Sequence, residues 1–222
     1  MGSGLAIPLK MFGLQRSCNN ITLRCLLDRF HVKSLEKVPG AEWKHGPPAG
    51  IAAKEGNRCV FCFRSPWAWL PSMFRWSHSD DRDNDPRFDR GWTFAEFLRQ
   101  PHYDWPSPVA RWNAINRIYV DFAAAHPDRC GRVHAERMTS NTAVIWTVTD
   151  LGRRLGLSPR PPEIEDYTRR IDNCRRWQPK PMNYEHYLER WYLQAYDADD
   201  LALVWQQLDK QLLADLGYSR EG

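Results

Sequence analysis

The chain has 222 residues, 42% of them hydrophobic, which is enough for one sizeable core and short for two full domains. Its 31 basic and 27 acidic side chains are interspersed, and a formal net charge of +4 excludes a clustered nucleic-acid footprint while suiting small anionic ligands. No apolar run approaches the roughly 20 residues that span a bilayer, and the opening Met1-Gly-Ser-Gly-Leu-Ala-Ile-Pro lacks the basic start and apolar stretch of a signal peptide. The expectation is a cytoplasmic, single-domain protein with no stable membrane insertion.

Residues 9–14, Leu-Lys-Met-Phe-Gly-Leu, predict a short buried strand. A polar turn over 15–20 follows, then a helix over 20–30 whose apolar Leu23, Leu26, Leu27 and Phe30 recur at helical spacing. Strand, tight polar loop and helix together open a doubly wound α/β domain. A second strand is predicted over 41–45, ended by Gly46-Pro47-Pro48, and a third over 58–63, where an apolar run gives the strongest strand signal in the chain. Pro66 opens a helix over 67–75. Residues 77–90 are charged and turn-rich and predict an exposed loop. Thr93 and Glu96 form a capping box for a helix ending near Arg99. A long helix over 111–125, a strand over 132–135 and a helix over 143–155 follow. Residues 158–162 read as a linker and 169–180 as a basic irregular stretch. Helices over 184–196 and 200–216 close the chain, the second capped by Gly217.

Six cysteines are present, and nothing in the composition calls for disulfide staples. Cys59 and Cys62 form a lone C-x-x-C on a predicted strand, where positions three apart face opposite sides. No second pair completes a zinc site, so structural thiols and no metal are expected.

Three constellations carry chemistry. The first, Gly13 to Asn20, joins strand to helix. Backbone amides and the helix dipole there form an anion cradle, to which Arg16 adds a cationic fork and Ser17 a hydroxyl. It is not a Walker A loop, since the second glycine and the Lys-Ser/Thr pair are missing. An ordinary βα turn with a surface arginine is the other reading. The second is Arg64 at the end of the strongest strand, with Ser72 eight residues later, both in reach of one anionic group. A strand-terminal arginine paired to an acid is its bland equivalent. The third is Trp43-Lys44-His45-Gly46. A histidine there takes a proton from an acceptor hydroxyl, and Lys44 stabilises charge on transferring oxygens, although a lone histidine is more often structural.

In order and spacing these three resemble one family, the sulfotransferases that use 3′-phosphoadenosine-5′-phosphosulfate, and bacterial members most of all. Arg16-Ser17-Cys18-Asn19 is similar to the family's 5′-phosphosulfate loop, Lys44-His45 to its Lys-x-His segment, and Arg64, Pro66 and Ser72 to its 3′-phosphate motif. The closing Leu216-Gly217-Tyr218 is also similar, and Val133-His134-Ala135-Glu136 resembles the family's strand ending in Tyr-Glu. The specific resemblance covers residues 9–75. It departs at Cys18, where the family has glycine, at Asn19, where it has threonine, and in the missing C-terminal Arg-Lys-Gly; Arg175-Arg176-Trp177 lies in a comparable place.

The resemblance implies a P-loop-like, three-layer α/β/α domain with a central parallel sheet of about five strands. It implies a sulfotransferase with His45, Lys44 and Arg16 as catalytic residues. Arg16, Ser17, Cys18, Asn19, Asn20, Arg64 and Ser72 would bind 3′-phosphoadenosine-5′-phosphosulfate, and no metal would be required. The acceptor would be a small molecule or a glycan. The tryptophans of 67–76 and 92–112 either line its pocket or pack the core. A P-loop phosphotransferase and an inactive nucleotide-binding member of the fold are the alternatives, and Glu136 is the competing base.

Overall fold

The computed structural model describes residues 5–77, 91–160 and 184–220. Most of the loop placed at 77–90, the basic stretch 169–180 with Arg175, Arg176 and Trp177, and Cys174 lie outside the described residues. Two compact units emerge, residues 1–63 with 118–184 and residues 64–117 with 185–222.

The first unit is built on a parallel four-stranded sheet. Its strands are β1 (Ile7–Phe12), β2 (Val32–Ser34), β3 (Arg58–Phe63) and β4 (Cys130–His134), in the order β2-β1-β3-β4. Leu9 pairs with Arg58, Phe12 with Phe61, and Cys59 with Cys130. Alternation sorts the side chains of the strands to two faces. Leu9, Met11, Val60, Cys62 and Val133 form one core with Leu26 of helix α1 (Asn19–Arg29) and Val148 and Leu151 of the helix Asn141–Arg154. On the other face Phe61 stacks with Phe12 at 5.4 Å and meets Tyr119 and Phe122, in the C-terminal half of the helix Pro108–Ala125, at 5.2 and 5.8 Å. Helices therefore cover both faces, the arrangement that lets a parallel strand such as β3 be apolar from Cys59 to Phe63. In chain order the helices are α1, α2 (Gly50–Ala53), α3 (Pro66–Ser77), α4 (Phe94–Phe97), α5 (Pro108–Ala125), α6 (Asn141–Arg154), α7 (Tyr184–Leu188), α8 (Ala198–Gln207) and α9 (Lys210–Asp215).

Two sequence expectations about the sheet are corrected. Among the described residues it has four strands rather than five. Residues 41–45 form no strand, because Val32–Ser34 and Arg58–Phe63 occupy the two edges of β1 and leave it no ladder to offer. Residues 41–45 are instead a loop ending in a turn at Lys44-His45.

In the second unit Trp67, Trp69, Phe97 and Trp112 are fully buried, so these tryptophans pack a core. Pro71 lies inside α3 and has no N–H for the carbonyl of Trp67, four residues back. The Tyr196 hydroxyl donates to that carbonyl instead, at 3.0 Å. The capping box of α4 forms as the sequence predicts, with Glu96 N–H donating to Thr93 Oγ1 and Thr93 N–H to the Glu96 carboxylate. The helix expected over 184–196 breaks at Arg190, which is left-handed at φ 54°. The helix expected over 200–216 breaks after Gln207, where Asp209 caps α9 through the Leu212 amide. Gly217, at φ 72°, ends α9 in a Schellman motif, with Tyr218 N–H donating to the Leu213 carbonyl and Gly217 N–H to that of Ala214. No helix of the described residues is long and apolar enough to cross a membrane.

Candidate functional site

The strand order places a topological switch point between β1 and β3. The chain leaves β1 toward β2 on one side and returns through β3 on the other, so the carboxyl ends of these strands are where open α/β sheets bind ligands. The loop that follows β1 is Gly13 to Cys18.

Gly13 has φ 156°, and a Cβ there would lie 2.6 Å from the Cys62 carbonyl oxygen and 2.3 Å from Asn19 Oδ1. Only glycine lets the loop pass this close to β3. Arg16 and Cys18 are both left-handed, at φ 67° and 59°, a conformation that disfavours an L side chain by roughly 1–2 kcal/mol. Positive φ at alternate residues is a pattern shared with anion-binding nests, and within the loop the Ser17 N–H donates to the Leu14 carbonyl at 3.2 Å. Cys18 occupies the N-cap of α1 and makes no side-chain cap there. Its carbonyl accepts from the Thr22 amide and hydroxyl. The first-turn amides of α1 thus keep the donor potential that suits an anion.

The predicted site residues of this loop divide by exposure. Arg16 and Asn20 are exposed, while Ser17, Cys18 and Asn19 are buried. The Asn19 amide nitrogen donates to the carbonyls of Gly13 and Leu14, at 2.9 and 3.0 Å, and so holds the loop in shape from beneath. Below it, burial and the neighbouring Cys18 thiol push the Cys62 thiol up, so Cys62 stays protonated. The described cysteines are free thiols, and Cys59 and Cys62 diverge to opposite faces of β3, Cys62 beside Cys18 and Cys59 beside Cys130.

The turn at Lys44-His45 is fastened to this loop. Gly13 N–H donates to the Lys44 carbonyl at 2.9 Å, and His45 Nδ1 lies 2.5 Å from the Gly13 carbonyl. A carbonyl accepts only, so Nδ1 carries the proton and the ring's lone pair is on Nε2. Lys44 Nζ donates to Asn20 Oδ1 at 2.7 Å, which stations a cation at the start of α1. From behind, the Tyr119 hydroxyl donates to the Gly46 carbonyl at 3.1 Å, and the Trp43 ring meets His45 edge-on at 5.1 Å. Two of the three sequence constellations therefore share one site. The strand expected at 41–45 does not form, yet the turn in its place carries the residues to the loop.

Arg64 and Ser72 belong to the second unit. Both are buried, and Trp112 Nε1 donates to the Arg64 carbonyl at 3.0 Å. The Arg64 guanidinium lies over the Tyr187 ring, 5.4 Å from its centroid. Burial first, then the charges of Arg64 and Arg75, hold the His186 imidazole below its ordinary range. Burial and Arg64 do the same to the Arg75 guanidinium. Arg64 and Arg75 thus build one cationic region, a setting for an anionic group, with the imidazole of His186 held toward its neutral form beside it. Arg75 falls in the last turn of the same helix as Ser72, a spacing the sequence displays. His186 joins only through the tertiary fold.

Glu136 sits in a 3₁₀ turn that follows β4. Among the described residues no group of three or more His, Cys, Asp or Glu side chains is placed to hold a metal ion. The arrangement in the first unit has a polarised amide loop, a helix N-terminus, two cations and an imidazole with a defined tautomer. It is equipped to bind an anionic group and to take a proton beside it. No family model matches the chain, and no curated protein matches it.

Proposed function

We propose that this protein transfers a sulfuryl group from 3′-phosphoadenosine-5′-phosphosulfate to a hydroxyl or amine of a small molecule or glycan. The observation that carries the reading is the attachment of the Lys44-His45 turn to the anion loop through Gly13. It sets a base and a cation beside the amides that would hold the 5′-phosphosulfate. In the proposed reaction the acceptor oxygen or nitrogen attacks sulfur. Its proton passes to His45 Nε2, and the bond from sulfur to the 5′-phosphate oxygen breaks. The leaving 5′-phosphate keeps the electron pair, beside Arg16, Lys44, the Ser17 hydroxyl and the amides of Cys18, Asn19 and Asn20. Arg16 and Lys44 supply the positive charge that divalent ions supply in kinases. Arg64 and Ser72 hold the 3′-phosphate, with Arg75 adding to the positive potential around Arg64.

Calorimetric titration tests the donor half of this reading. 3′-Phosphoadenosine-5′-phosphate binds in the micromolar range, and adenosine 5′-phosphate binds much more weakly. Arg64→Ala removes a charge-assisted partner worth about 1.5–3 kcal/mol, so the bisphosphate loses roughly 10- to 100-fold in affinity. Equal affinity in wild type and Arg64→Ala would refute the 3′-phosphate assignment. Tight binding with no transfer to any acceptor would instead favour a nucleotide-binding protein without catalysis. Mg²⁺-dependent turnover of ATP would favour a phosphotransferase.

A further inference from the structure

Strands β3 and β4 set two cysteines side by side within the first unit. Cys59 and Cys130 are paired positions of the parallel ladder, and the Cys59 N–H donates to the Arg129 carbonyl at 2.9 Å, which fixes the register at that point. In-register residues of neighbouring strands project from the same face of a sheet, so both thiols lie on the face that carries Phe61. Cys59 is fully buried, whereas Cys130 is part-exposed.

The two sulfurs differ in character. A hydrogen bond between the thiols, then the charges of Arg129 and Arg132, holds Cys130 below its usual range, against burial and the charge of Asp128. The same hydrogen bond and burial push Cys59 up, with Glu42 adding to the rise and Arg129 opposing it. Cys59 Sγ and Arg129 Nη1 converge on one acceptor, the Ala52 carbonyl, at 3.8 and 2.8 Å, so the guanidinium is stationed beside the pair. Cys130 is therefore the sulfur inclined to thiolate, and Cys59 the one that keeps a proton. A thiolate with an arginine beside it and a path to solvent is the form of cysteine that meets oxidants. The other thiol pair has no such member, since Cys62 is fully buried and stays protonated and Cys18 is only 9% exposed.

We propose that Cys130 and Cys59 are an oxidisable dithiol that reduces a hydroperoxide and closes to a disulfide. The Cys130 thiolate attacks one peroxide oxygen. An S–O bond forms, the O–O bond breaks, and the leaving oxygen takes a proton from solvent to become water or an alcohol. The Cys59 sulfur then attacks the Cys130 sulfenic acid. The S–S bond forms, the S–O bond breaks, and the Cys59 proton leaves with that oxygen as water. Two thiols are oxidised and one peroxide is reduced. Neighbouring strands stand about 4.7–4.9 Å apart, whereas a disulfide accepts Cα atoms roughly 4.4–6.8 Å apart and holds its Cβ atoms at roughly 3.5–4.5 Å. Closing the bond therefore needs no refolding, yet it draws the strands together. Strain of that kind makes a disulfide easy to reduce, so the step is reversible. The assignment uses no residue of the anion loop and does not rest on the sulfuryl-transfer reading.

The probe is hydrogen peroxide, and the readout is a thiol count in denaturant with mass spectrometry of the tryptic peptides. Wild type loses two of its six thiols, the new bond maps to Cys59 and Cys130, and dithiothreitol restores all six. Cys130→Ala keeps every remaining thiol at the same dose. Cys59→Ala stops at the sulfenic acid, which dimedone labels at Cys130 alone. Cys130 is part-exposed, so its replacement retains the fold, as circular dichroism checks, and this variant alone decides the matter should Cys59→Ala fail to fold. The proposal is overturned if wild type keeps six thiols, if the bond maps to Cys18 and Cys62 or joins two chains, or if Cys130→Ala loses two thiols as wild type does.

Discussion

His45 Nδ1 lies 2.5 Å from the carbonyl oxygen of Gly13, so one hydrogen bond both orients the imidazole and ties its turn to the anion loop. Replacing the histidine therefore has a structural and a chemical consequence, and two variants separate them. His45→Ala loses the bond and is destabilised by about 0.5–1.5 kcal/mol in urea denaturation. His45→Asn retains an amide donor for the Gly13 carbonyl but accepts no proton at neutral pH, and it keeps stability close to wild type. Under the proposed reaction both variants lose roughly 10²–10⁴-fold in turnover while binding 3′-phosphoadenosine-5′-phosphate almost normally. Rates are measured in reverse, with an aryl sulfate giving its sulfuryl group to the bisphosphate. Full turnover in His45→Asn would pass the base to another group, Glu136 first.

Arg16 is exposed and left-handed, so the charge proposed for anion binding sits on a strained backbone. Glycine adopts that conformation without the steric penalty. Arg16→Gly leaves the unfolding free energy unchanged or raises it by up to about 1 kcal/mol, yet it weakens bisphosphate binding at least several-fold. Denaturation and calorimetry on the same sample check both. A variant that loses stability and keeps its affinity would show that the strain serves the fold and not a ligand.

Gly13→Ala tests the closeness of the loop to β3. The added methyl would lie 2.6 Å from the Cys62 carbonyl and 2.3 Å from Asn19 Oδ1, well inside contact distance. The backbone has to shift, which costs on the order of 1–3 kcal/mol. Because the Gly13 amide and carbonyl both hold the Lys44-His45 turn, the shift also displaces the imidazole. The expected result is a lower denaturation midpoint together with a changed His45 ring resonance. Unaltered stability would mean that the loop has room the structure does not show.

His134 predicts a pH dependence. Burial, with Arg137 and Arg132, lowers its imidazole from 6.5 to about 4. Below 6.5 the unfolded chain takes up a proton that the folded chain refuses until about 4, so stability is lost as pH falls through that window and is level above it. The loss attributable to this group is at most about 3 kcal/mol. His134→Gln has no such proton to bind, and its stability falls less between pH 7 and pH 4 in urea titrations. Equal slopes for the two proteins would show that His134 titrates normally.

Local patterns in the sequence determined much of both units. The run 58–63, apolar from Cys59 on, is β3, residue for residue, because a strand covered on both faces needs no alternating polar positions. The Thr93–Glu96 capping box, the proline opening α3 and the glycine ending α9 are decided by contacts within one turn, and each stands where the sequence places it. The polar loop between β1 and α1 was legible for the same reason. Tertiary structure decided the rest. Val32–Ser34, only three residues long, becomes a strand because β1 offers it an edge, and 41–45 does not because that edge is then taken. Tyr196 keeps α3 continuous through Pro71 from 125 residues away. The hydrogen bond from His45 to Gly13 spans 32 residues, and Cys59 meets Cys130 only because β4 pairs with β3 in that register. Spacing along a chain reports what neighbours in sequence do to one another. Which backbone group is left for a distant side chain depends on how the strands have already paired.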